Sequence, residues 1–75
     1  MEYELSRATI EKTRHVICYR DRFYEDVPDR VRYNGPWQLI RTGNVDDLMP
    51  EYRLALARVG YVYVEAHPVG FSVTA

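Results

Sequence analysis

The sequence predicts an α+β fold: an antiparallel sheet of four to six strands, one α-helix at about residues 47–59 packed on one face, and a C-terminal β-hairpin. Three observations carry this. Apolar residues recur at helical spacing only between Asp47 and Val59. The segments on either side alternate with period two. Gly, Pro, Asn and Asp gather at the junctions between them. Seventy-five residues form one domain, 1–75, with a thin core. A chain of that length buries roughly 60–65% of the surface its unfolded form exposes.

At the N-terminus, "EYELSRATI" and "RHVICYR" alternate loosely around "EKT" and are rich in Thr, Ile, Val and Tyr, which suits a hairpin. A helix from Ser6 to about Ile17 is the alternative, weakly disfavoured by the β-branched content. The middle segment "DRVRYNGPWQLIRTG" reads as a second hairpin. A two-residue Asn34-Gly35 turn would set charge against the apolar face, so a three-residue loop over 34–36 is preferred, pairing Tyr33 with Trp37 and Val31 with Leu39.

The helix follows. Leu48, Tyr52, Ala55, Leu56 and Val59 form one stripe, Asp47 is the expected N-cap, and Gly60 supplies the left-handed residue that ends it. "YVYVEAHPVGFSVTA" then sets Val62, Val64 and Ala66 on one face. Phe71, Val73 and Ala75 join them if Ala66 pairs with Phe71 across a turn at His67–Gly70. The other face carries Tyr61, Tyr63 and Glu65.

Ten basic and eleven acidic residues give a net charge of −1. The charge is evenly mixed, at −1 over residues 1–13, +1 over 14–33 and −1 over 34–75. That excludes a basic arm, an acidic tail and nonspecific nucleic-acid binding by charge alone. With one cysteine, Cys18, there is no intramolecular disulfide, which suits a reducing cytoplasm. No apolar run approaches the ~18 residues of a membrane span, so the chain is expected to be a soluble cytoplasmic protein.

Catalytic chemistry has little to draw on. His15 and Cys18 stand three apart on a strand and point to opposite faces, so they do not form a nucleophile and base; Cys18 reads as a small buried hydrophobe. His15 and His67 as acid and base of a small ribonuclease form a third-ranked alternative. There is no metal-ligand spacing and no phosphate-binding glycine motif, so no metal and no cofactor are expected.

Recognition remains. Residues 18–37, "CYRDRFYEDVPDRVRYNGPW", hold four arginines, four acids and five aromatics, and the chain has seven tyrosines. Tyr and Arg concentrate binding energy at protein interfaces by joining large contact area to hydrogen bonding. Tyr33, Trp37 and Phe23 are expected to face the core. Arg20, Arg22, Tyr24, Arg30, Arg32, Tyr61 and Tyr63 form the expected partner surface, although Tyr61 and Tyr63 are equally suited to pack under the 20–33 segment. The interleaved acids cancel the field that would collect a phosphate backbone, which ranks single-stranded nucleic acid second to a protein partner.

In size, mixed charge, absence of a catalytic motif and scarcity of cysteine, the chain resembles the small phage-encoded anti-CRISPR proteins. The resemblance carries over no functional residue. It implies a non-enzymatic, stoichiometric inhibitor in the bacterial cytoplasm that occupies a surface of a nucleic-acid-guided defence complex. The chain is expected to be a monomer, or a homodimer joined at an unpaired edge of its C-terminal strand.

Overall fold

Strands β1 (Glu2–Ala8) and β2 (Arg14–Tyr19) form the N-terminal hairpin. A computed structural model describes all 75 residues. The hairpin is the centre of a four-stranded antiparallel sheet in the order β3-β1-β2-β4, with β3 spanning Trp37–Asn44 and β4 spanning Tyr61–Glu65. The α+β class and antiparallel sheet are those expected, and the helical alternative for residues 6–17 is replaced by the hairpin.

Alternation along β2 sends His15 and Ile17 to one face and Val16 and Cys18 to the other, and all four are fully buried. Each face therefore needs its own cover. On the first, Tyr3, Leu5 and Ile17 pack with Leu48, Leu56 and Val73 beneath helix α3 (Pro50–Val59) and the C-terminal tail. On the second, Val16 and Cys18 pack with Val27 and Val31 beneath two single-turn helices, α1 (Phe23–Asp26) and α2 (Asp29–Arg32).

Helix α3 starts later than the sequence suggests. Residues 45–47 form a 3₁₀ turn with Asn44 as its cap, and Pro50 occupies the first α-helical position, where its missing N–H has no intrahelical partner. Met49, rather than Asp47, is the N-cap. Gly60, at φ 95°, ends the helix as expected, its N–H donating to the Leu56 carbonyl. Leu48 and Leu56 are buried, but Val59 at the end of the predicted stripe is exposed.

Two expected hairpins are replaced. Residues 29–32 are helical, so Tyr33 does not pair with Trp37 nor Val31 with Leu39; β3 instead pairs with β1 through Ala8↔Trp37 and Ser6↔Leu39. Pro28 explains the helix. Its carbonyl accepts the N–H groups of Val31 and Arg32, and the turn it starts drives Val31 onto the β2 face. The C-terminal hairpin is likewise absent, since β4 pairs with β2, from Arg14↔Glu65 to Cys18↔Tyr61. The chain turns near His67–Gly70, and the tail then crosses the α3 side of the sheet, bridging Leu48 to Thr74. That course buries Val73 completely, whereas a strand outside β4 would lie beyond the core.

The tail is held by His15. Arg7 Nε donates to His15 Nε2 at 2.9 Å, and a guanidinium cannot accept, so the proton resides on Nδ1, which donates to the Thr13 carbonyl at 3.2 Å. The neutral ring stacks on Phe71 at a centroid distance of 4.2 Å. Burial, reinforced by the Arg7 charge, pushes the His15 pKa below its usual 6.5. Because the folded pKa is depressed, the unfolded chain binds more protons, and stability is lost as the pH falls from 6.5 toward the folded value. The urea midpoint should therefore fall between about pH 7.5 and 5.5. His15→Phe should flatten this slope; an unchanged slope in that variant would contradict the burial of His15.

Candidate functional site: an aromatic groove beside an open strand

The α1–α2 layer covers β2 and β4 and meets β3 only at its first residue, Trp37. A β-bulge exploits the uncovered side. Ser6 faces Leu39 while Leu5 faces Arg41, so Ile40 is an extra residue in β3. Without it Leu39 and Arg41 would share a face; with it Leu39 turns toward the α1–α2 side and Arg41 toward the α3 side. There an Arg41 guanidinium N–H donates to Thr74 Oγ1 at 3.3 Å.

The result is an open groove of about 540 Å³, lined by Glu4, Ser6, Phe23, Tyr24, Arg32, Pro36, Trp37 and Leu39. Its aromatic wall is continuous, with Phe23 edge-on to Tyr24 at 5.3 Å and to Trp37 at 6.4 Å. The Trp37 indole is fixed by donating to the Arg32 carbonyl at 3.0 Å. Gly35 is needed for this placement, since a Cβ there would lie 2.6 Å from the indole ring. Two other hollows are polar: one holds Glu2, Arg20, Asp21 and Arg22, the other Arg41, Asp46, Asp47 and Arg53.

The seven residues expected to form one partner surface are spread over three places. Arg20 and Arg22 lie at the end of the β1–β2 hairpin, Arg20 paired with Glu2 at 2.9 Å and Arg22 with Asp26 at 3.1 Å. Arg30, Tyr61 and Tyr63 lie over β4. There an Arg30 guanidinium N–H donates to the Tyr61 hydroxyl at 3.1 Å, and the Tyr63 hydroxyl donates to Glu65 at 3.0 Å. Both tyrosines are half-buried against the Val16–Cys18–Val27–Val31 cluster, so their ring faces serve the fold. Tyr24 and Arg32 are the two that reach the groove.

Tyr24 is 76% exposed. Arg32 is tied down: it pairs with Asp29, donates to the Val27 carbonyl at 3.0 Å and sits 5.5 Å over the Tyr24 ring. One expected core aromatic differs: Tyr33 is 83% exposed, because helix α2 ends there and turns it outward. Phe23 and Trp37 are half-buried and pack against the Val16–Cys18–Val27–Val31 cluster while lining the groove. Glu4, Trp37 and Leu39 were not legible as site residues from sequence. Trp37 and Leu39 carry the signature of a core strand, and only the bulge and the position of α1 turn them into a groove.

The structure does not bring His15, His67 and Cys18 together. His15 is fully buried with both ring nitrogens engaged, so it offers nothing to a substrate that His67, exposed in its turn, could share. Cys18 faces away from His15, and its thiol pKa is pushed up to about 12, chiefly by burial and further by Glu4 and Asp26. No three His, Cys, Asp or Glu side chains converge as a metal site. No helix is long and apolar enough to cross a membrane. Comparison with known protein families, curated proteins and solved structures finds no match.

Two outcomes follow from this geometry. Arg32→Ala, which removes an ion pair, a backbone hydrogen bond and a cation–π contact, should cost about 1–2 kcal/mol and lower the thermal midpoint by roughly 5–10 °C. Arg30→Ala, at an exposed single hydrogen bond, should move it by less than about 3 °C; calorimetry on both variants separates the two. Cys18 in the native protein at pH 8 should react with iodoacetamide at least about a hundredfold more slowly than in the urea-unfolded chain. Equal rates would show that the α1–α2 layer does not seal it.

Proposed function

We propose that this chain is a non-enzymatic protein-binding module that docks through the aromatic groove and the adjoining edge of β3. The observation that carries this is the open edge. Six of the eight β3 residues are exposed, Leu39 and Ile40 among them, and the strand is paired on one side only, with β1. An unpaired edge presents backbone donors and acceptors to an added strand. Here it runs beside a groove whose walls carry Phe23, Tyr24, Arg32 and Trp37, the residue types in which binding energy concentrates. The opposite edge strand, β4, is mostly half-buried.

The resemblance in size and composition to phage-encoded anti-CRISPR proteins extends the proposal to a stoichiometric inhibitor in the bacterial cytoplasm, one that blocks a subunit surface of a nucleic-acid-guided defence complex. A net charge of −1 favours docking by shape and specific polar contacts over mimicry of a phosphate backbone. The proposed surface is narrower than the sequence suggests: Tyr24, Arg32, Trp37 and Leu39 lead it.

Tagged protein incubated with a bacterial lysate should retain one partner at about equal stoichiometry. Leu39→Asp, which places a carboxylate on the open strand, should reduce that recovery at least tenfold while shifting the thermal midpoint by less than about 3 °C. Equal recovery with Leu39→Asp would remove the edge from the interface. Binding to a single-stranded oligonucleotide that weakens steeply with salt, with no protein retained, would overturn the proposal in favour of a nucleic-acid partner.

A further inference from the structure

The groove contains one charge that the fold does not match. The ion pairs of the protein join Arg20 to Glu2 and Asp21, Arg22 to Asp26, and Arg32 to Asp29. Glu4 belongs to none of them. It sits mid-strand on β1, half-buried, and alternation places it on the groove side, next to Ser6 and opposite Thr42 of β3. Arg32, the cation lining the same groove, is already held by Asp29 and the Val27 carbonyl. The groove thus joins an unmatched carboxylate on its floor to the rings of Phe23, Tyr24 and Trp37 on its wall.

We infer that the groove is a receptor for an arginine side chain of the partner protein. A guanidinium is planar and weakly hydrated, stacks on aromatic faces, and offers a pair of parallel N–H donors that match a carboxylate. Rings grouped around a carboxylate favour cations through the negative potential of their faces. The fold already shows such a contact, since the Arg32 guanidinium covers the Tyr24 ring. An anionic guest is disfavoured because the guanidinium that would receive it is neutralised by Asp29. A purely apolar guest would bury the Glu4 carboxylate without a partner, which is costly. The β3 edge lies beside the groove, so a partner strand added there has its side chains within reach of it. This inference rests on the proposed protein-binding role and gives that role its specificity.

The chain has a single tryptophan, Trp37, so its fluorescence reports the groove directly. Titration with N-acetyl-arginine amide should change that emission saturably at millimolar concentration. It should also move the Trp37 indole N–H and the Phe23 and Tyr24 amide signals in nitrogen–proton NMR spectra. N-acetyl-norleucine amide, a chain of similar length without charge, should bind at least about fivefold more weakly, and Glu4→Gln should weaken the arginine derivative by a similar factor at an unchanged thermal midpoint. Tyr24→Ala, at an exposed position, should also weaken it. Equal binding of the norleucine derivative, tighter binding of N-acetyl-aspartate amide, or no loss in Glu4→Gln would each overturn the assignment.

The lysate experiment separates this inference from the role beneath it. A partner retained equally by Glu4→Gln would overturn the arginine site and leave the docking role standing. Arginine binding with no partner retained would leave the guanidinium chemistry of the groove standing and overturn the docking role, and with it the assignment of that arginine to a partner protein.

Discussion

The double burial of β2 is the constraint from which the rest of the architecture follows. His15, Val16, Ile17 and Cys18 are successive residues and all are sealed from solvent, so the sheet must be covered on both faces at its centre. A chain of 75 residues has little left with which to do so after spending its strands. It assigns the ten-residue helix α3 and the tail to one face and two single turns to the other. The thin second layer reaches β2 and β4 but leaves β3 uncovered beyond Trp37. The groove and the open edge are therefore consequences of how a small chain divides its cover.

Within that frame the bulge in β3 decides what the uncovered region presents. One extra residue, Ile40, reverses the side-chain parity of the strand. It sends Leu39 to the groove and Arg41 to the tail, where Arg41 reaches Thr74. The polar residues of this region serve two separate purposes. Arg32 lines the groove while also binding α2 to the loop before it and covering Tyr24, whereas Glu4 has no structural partner. Residues as similar in their sequence setting as Arg30 and Arg32 thus differ in role, because one turn of helix points Arg32 at Asp29 and Val27 and leaves Arg30 reaching outward to Tyr61.

Several features were legible because they depend on neighbours in sequence. The β1–β2 hairpin, the stripe and glycine stop of α3, the burial of Cys18 and the separation of Val62 and Val64 from Tyr61 and Tyr63 all follow from alternation, helical period or a single backbone angle. The losses share a different cause. "DRVRYNGPW" alternates well enough to be a strand, and pairing Val31 with Leu39 would bury the same residues; what decides against it is that Leu39 finds Ser6 of β1 as its neighbour while Val31 finds Val16 and Cys18 from above. The C-terminal hairpin fails in the same way, since the empty edge of β2 takes β4, and Phe71 finds His15.

By itself the sequence determined the fold class, the elements with a strong local period, the exclusion of disulfide chemistry within the chain and the near-neutral mixed charge. Tertiary structure alone decided the strand order, the neutral tautomer of His15, the outward turn of Tyr33 and the meeting of Glu4 with Phe23, Tyr24 and Trp37. The physical reason is one of range. Period and capping act over a few residues and are written in the chain, whereas a site built from β1, α1 and β3 depends on which strand wins each edge and which face each layer covers. Those outcomes are set by competition for a limited apolar surface across the whole molecule.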